Sequence, residues 1–100
     1  MKSQMRRKHL RHFINYDCTY SYNGKSSKCN ILDISENGAM LKIPQVLVRG
    51  DKIELHLTGT DMITAVVKHS RCNYINIKFD YEINIIEFLK SISKLTWRHS

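Results

Sequence analysis

The chain reads as an all-β protein, a small closed or nearly closed barrel of six antiparallel strands with one helix at its C-terminal end. Three observations predict this. Apolar and polar residues alternate with period two through several short runs, turn-forming residues punctuate those runs, and the period changes once, after Asp80, to helical spacing. Strands with one apolar face must enclose a shared core, and closing the sheet removes its exposed edges.

Each element has a local reason. Tyr16, Cys18, Tyr20 and Tyr22 alternate with polar residues, and Asn23-Gly24 follows at once. That pair favours a tight hairpin, because both turn positions need positive φ. A second strand is expected over Lys28 to Leu32, a polar turn over Asp33 to Gly38, and a third strand over Ala39 to Ile43. Pro44 donates no backbone hydrogen bond and ends the pairing. After the Arg49-Gly50-Asp51 turn, Ile53, Leu55 and Leu57 alternate with Glu54 and His56, an exposed polar pair on one face. A loop at Thr58 to Asp61 leads into Met62–Lys68, a turn at Ser70 to Asn73 follows, and Tyr74 to Phe79 make the last strand. From Glu82 onward Ile83, Ile86, Leu89, Ile92 and Leu95 recur at helical spacing, with Asp80 as the expected cap. That helix is expected to lay its apolar stripe on the barrel.

A chain of 100 residues, 42% hydrophobic and 25% charged, suits one folded domain. No apolar run is long enough to span a bilayer or to form a secretory signal, so membrane insertion is not expected and the cytoplasm is. Three cysteines, Cys18, Cys29 and Cys72, show no CxxC spacing and are expected as free thiols, which suits a reducing compartment. The net charge of +7 is unevenly spread: Lys2, Arg6, Arg7, Lys8 and Arg11 crowd residues 1–12 with no acid among them. The expected organisation is therefore a flexible basic arm, 1–12, and a barrel with its helix, 13–100. Such an arm suits an anionic partner. Catalysis finds little support. Beyond the weak His9-x-x-His12 pair no histidines have zinc-ligand spacing, and no serine sits in a nucleophile elbow. A binding protein without metal or cofactor is the expectation.

Two patches are more specific. Arg7 to Arg11 is an RxxxR motif preceded by Arg6, and Asp33 to Gly38 is a DxSxxG motif at a turn between strands. In this order, on an all-β chain of this length, the two resemble the PilZ domain family. The resemblance continues through Gly38-Ala39-Met40-Leu41, Pro44, Gly50-Asp51 and Ile75-Asn76-Ile77-Lys78-Phe79. It implies a PilZ-type barrel that binds cyclic di-GMP, with an RxxxR arm wrapped over ligand lying on the barrel. The residues suit that ligand chemically. A guanidinium fork on Arg7 or Arg11 matches guanine's O6/N7 acceptor pair and also binds phosphate bidentately. Asp33 can accept from guanine's N1–H and N2–H₂, Ser35 can donate or accept beside it, and Gly38 allows a backbone conformation or a close approach that a Cβ would block.

By the same resemblance, Arg6 before RxxxR goes with an intercalated dimer of the ligand. Asn76 departs from the glycine that many members carry in the last strand, so its side chain is expected to crowd or reshape the base pocket. The expected mechanism is ligand-driven ordering of the arm, which relays the signal by contact to a downstream protein. Loss of Arg7 or Arg11 is then expected to abolish binding without touching the stability of the empty barrel. Two other readings stay open: a PilZ-like adaptor that works without nucleotide, and a nucleic-acid-binding barrel. The near-neutral body and few aromatics count against nucleic acid.

Overall fold

A computed structural model of the chain describes residues 10–57 and 62–97, with side chains described as far as Ser93. The strands run in order β1 (His12–Tyr22), β2 (Lys25–Ile34), β3 (Gly38–Lys42), β4 (Lys52–His56), β5 (Ile63–Arg71) and β6 (Tyr74–Phe79), followed by α1 (Ile85–Trp97). All pairings are antiparallel, and the sheet closes as β1-β2-β3-β6-β5-β4. The PilZ-type fold class expected from the sequence matches this closed six-stranded barrel with its C-terminal helix.

The hairpin logic holds at the first turn. Asn23 and Gly24 take φ of 52° and 79°, and Tyr22 pairs directly with Lys25. A two-residue turn of this kind fixes the register of everything behind it. The second tight turn, Cys72-Asn73, also carries a positive φ, 54° at Cys72, and Asn73 ties it to Ile43 through Nδ2 at 3.1 Å. The first, second and fifth strands extend further than their apolar alternation suggested, and the third is shifted back by one residue. β1 reaches back to His12 across an irregularity between Phe13 and Tyr16, and further irregularities sit between Ile31 and Asp33 and between Val67 and His69. Each inserts a residue, so faces exchange along the strand.

The core fills the barrel with Tyr20, Ile31, Ile34, Leu41, Ile53, Leu55, Ile63, Val67, Ile75 and Phe79, all buried. Tyr20 brings a hydroxyl inside, and it donates to Gln45 Oε1. On the outer side Ser21, half-buried, bonds exposed His56 at 3.1 Å, tying β1 to β4 where the barrel closes. His56 thus partners a serine across the closing seam. The β3–β4 connection crosses one barrel end with Leu47 buried, held by the Ser70 hydroxyl donating to the Leu47 carbonyl.

The helix corrects two expectations. It begins at Ile85, and the residue that caps it is Asn84, whose Oδ1 accepts from the Glu87 amide at 3.1 Å. Asp80 is occupied elsewhere, accepting from the Thr64 hydroxyl across the barrel wall. The buried stripe is also shifted in phase. Ile85 and Phe88 are buried and Leu89 and Ile92 pack against the core, whereas Ile86 is exposed. Starting the helix later rotates the face that meets the barrel. Phe88 anchors it, with its ring edge-on to Tyr16 at 5.5 Å between centroids and 85° between planes. Phe88→Ala is expected to cost about 3–5 kcal/mol, by the usual price of an emptied aromatic core site. Urea denaturation followed by far-UV circular dichroism checks this, and a midpoint equal to wild type would show that the helix is not anchored there.

Candidate ligand-binding site

The DxSxxG motif straddles the end of β2 and a turn narrower than the sequence suggested. Asp33 and Ile34 belong to β2, Ser35 to Asn37 form the turn, and Gly38 opens β3. The turn is closed by the Ser35 amide donating to the Gly38 carbonyl at 2.8 Å. The Ser35 hydroxyl, buried, donates to Asn37 Oδ1 at 2.9 Å. The backbone carbonyls of Asn37 and Glu36 accept from the Phe79 and Ile83 amides, each at 2.8 Å, which fixes the turn to β6 and to the segment entering α1. Ser35 is thus held by its own turn, with a lone pair left to accept from outside. Asn37 escaped the sequence reading, although an Asn two residues after a turn Ser is a recognisable turn former.

Gly38 has a packing reason for lacking a side chain. Its φ is outside the positive region, but a Cβ there would run into the Ile77 carbonyl oxygen of β6. Gly38 pairs with Lys78, so the close approach is between two strands of the barrel wall.

Asp33 and Arg11 bring the two motifs together. Although 22 residues apart, they form a bidentate pair: Arg11 Nε–H donates to Oδ1 at 3.2 Å and Nη2–H to Oδ2 at 2.8 Å. The Asp33 side chain is 6% exposed and that of Arg11 35%. The irregularity after Ile31 makes this possible. Ile31 and Ile34 both face the core, and the inserted residue between them turns Asp33 outward, under the arginine. Phe13 on β1 pairs with Asp33 on β2 and His12 with Ile34, so Arg11 stands just past the end of that ladder, within side-chain reach of Asp33. Arg11 and His12, which the sequence assigned to the free arm, are therefore engaged with the barrel. Arg6 and Arg7 lie outside the described residues.

Beside this pair the outer wall continues across the sheet. Asp33 pairs with Met40, Met40 with Asn76, and Asn76 with His69. Cross-strand partners share a face, so these side chains form one outward row. A cavity of about 490 Å³ lies along it, lined by Met40, His69, Ser70, Arg71, Tyr74 and Asn76. That volume is within the range of small-molecule sites. Asn76 is thus a wall of this cleft. Arg71, read from the sequence as part of a turn, ends β5 at its rim. Nothing local in the sequence announced His69 or Arg71 as lining residues, because the β3–β6 and β5–β6 registers bring them there.

Among the described residues no group of three or more His, Cys, Asp or Glu could hold a metal ion, and no helix is long and apolar enough to cross a membrane. The family model of the PilZ domain matches residues 5–94. No curated protein matches the chain by sequence. A match over nearly the whole chain, on a closed six-stranded barrel, decides the class: this chain belongs to the PilZ domain family. PilZ domains are ligand-binding receptors for cyclic di-GMP, not enzymes.

Proposed function

We propose that this chain binds cyclic di-GMP on the outer wall of its barrel, between the RxxxR arm and the Asp33–Gly38 turn. The Arg11–Asp33 pair carries the reading, because it joins one residue from each motif at 2.8 Å. In that pair the Nε–Nη2 edge of the guanidinium is spent on Asp33. The Nη1 corner remains to meet a phosphate or the O6/N7 edge of a guanine. Each Asp33 oxygen has a second lone pair, so the carboxylate can hold Arg11 and also accept from a guanine's N1–H or N2–H₂. The cleft bounded by Met40, Asn76 and Arg71 gives the ligand a surface to lie along.

Arg6 and Arg7 complete the clamp from the arm, and by the family analogy Arg6 supports two intercalated ligands per chain. Binding orders the arm and changes the surface offered to a downstream protein, which is how a receptor without a catalytic step passes its signal on. Calorimetric titration with cyclic di-GMP, repeated with GTP and cyclic di-AMP, tests this. Saturable heat with cyclic di-GMP alone is the expected result, at two ligands per chain. One ligand per chain would remove the dimer and leave the receptor. Absence of heat with cyclic di-GMP would make the chain a nucleotide-independent adaptor.

A further inference from the structure

Two thiols that the ligand site does not use face each other across the first hairpin. Cys18 on β1 and Cys29 on β2 are direct register partners, placed so by the two-residue turn between Tyr22 and Lys25. Their sulfurs are 3.5 Å apart, and both are free thiols. Directly opposed residues of an antiparallel pair have Cα atoms roughly 4.5–5.5 Å apart, inside the roughly 4.4–6.8 Å that disulfides span. A directly opposed pair with its sulfurs already in contact is therefore within the reach of a disulfide. We propose that Cys18 and Cys29 are a reversible oxidation site, a dithiol that a hydroperoxide converts to a disulfide stapling β1 to β2.

The two sulfurs differ in ways that assign their roles. Cys18 is half-buried and Cys29 is 5% exposed, so an oxidant from solvent meets Cys18 first. The Cys29 S–H held against Cys18 stabilises a thiolate there and lowers its pKa, against the opposing effects of burial and Asp17. The same contact, with burial, makes Cys29 hold its proton more tightly. Thiolate is the reactive form, so Cys18 is the attacking sulfur and Cys29 the resolving one.

The chemistry balances with hydrogen peroxide as oxidant. The Cys18 thiolate attacks one peroxide oxygen, an S–O bond forms, the O–O bond breaks, and the departing hydroxide takes a proton to become water. Cys18 is then a sulfenic acid. Cys29 attacks that sulfur, the S–S bond forms, and the S–O bond breaks. The hydroxyl leaves with the Cys29 proton as a second water. Two thiols are oxidised by two electrons and one peroxide is reduced. A thiol reductant reverses the result by exchange.

Cys72 supplies an internal comparison, since it is exposed and has no thiol partner among the described residues. The folded full-length protein is treated with one equivalent of hydrogen peroxide, alkylated, digested and analysed by mass spectrometry. The expected product is a Cys18–Cys29 cross-linked peptide pair, lighter by two hydrogens, with both alkylation sites lost and Cys72 still alkylated. Dithiothreitol should restore both sites. In Cys29→Ser, Cys18 should stop at the sulfenic acid and be trapped by dimedone, which a merely adventitious disulfide would not require. If Cys72 is consumed first, giving dimers between chains while Cys18 and Cys29 still alkylate, the proposal fails. It also fails if the cross-link forms equally fast in denaturant, because the barrel's register would then not be its cause.

Discussion

Replacing Arg11 with alanine is expected to weaken cyclic di-GMP binding at least about a hundredfold, the worth of one or two charge-assisted hydrogen bonds. The same substitution should also lower the melting temperature of the ligand-free barrel. That second effect departs from the sequence-based expectation, in which the arm's arginines served ligand alone, and the bidentate contact with Asp33 is the reason. Asp33 is 4% exposed, so removing its partner leaves a carboxylate buried without compensation. The arginine end is about a third open to solvent, which screens the pair and keeps the cost near 1–2 kcal/mol rather than the larger figure for a fully buried pair. Arg11→Lys should recover part of the stability, because it restores charge, and little of the affinity, because an ammonium lacks the planar fork. Asp33→Asn should lose ligand as well. Its amide nitrogen would face the N1–H and N2–H₂ donors of guanine with another donor. Calorimetry gives the affinity and differential scanning calorimetry the stability. Wild-type values on both for Arg11→Ala would mean that neither the contact nor the clamp operates.

How far the sequence carried depends on whether a feature is local. The Asn23-Gly24 turn is local chemistry, and its φ values follow from it. Once Tyr22 is set opposite Lys25, counting outward along both strands places Cys18 opposite Cys29, so the thiol pair was derivable from the turn and the alternation together. Barrel closure was legible as a class, because six alternating runs need an edge-free solution. The pairings that close it, β1 with β4 and β3 with β6, join segments far apart in sequence and leave no local mark.

The misses share one physical cause. Helical periodicity finds a stripe, but its phase depends on where the first turn begins, and Asn84 rather than Asp80 starts it. Strand alternation likewise fixes faces only until a residue is inserted. The irregularity between Ile31 and Asp33 turns an aspartate toward the arginine and away from the core, and the one between Val67 and His69 sends β5's end to the outer cleft beside Met40 and Asn76. Such insertions are set by pairing with a neighbour strand. The motif residues were nevertheless legible as types. Asp33 and Arg11 were chosen for what a carboxylate and a fork can bind, and the fold then brought those same groups to each other.

Gly38→Ala is expected to destabilise the ligand-free barrel by about 1–3 kcal/mol, the usual cost of forcing an extra carbon into a packed site. The neighbour that an added Cβ meets is the Ile77 carbonyl oxygen, a backbone atom in β6 that cannot swing aside as the end of a side chain can. To admit the methyl group, β3 and β6 must part where Gly38 pairs with Lys78. The displacement falls on the turn itself, because the Gly38 carbonyl accepts from the Ser35 amide and the Asn37 carbonyl from Phe79. Alanine's smaller unfolded-state entropy recovers only about 0.4–1 kcal/mol. Gly38→Val, with a branched carbon in the same place, should unfold the chain at room temperature or leave it marginal. Urea denaturation of the ligand-free protein separates the two reasons a glycine can stand here. If glycine serves the strand contact, stability falls in the empty barrel and affinity falls with it, since Ser35 and Asp33 flank the disturbed turn. If Gly38→Ala instead keeps the wild-type denaturation midpoint and loses only cyclic di-GMP, the glycine is reserved for the ligand and the contact with Ile77 does not govern it.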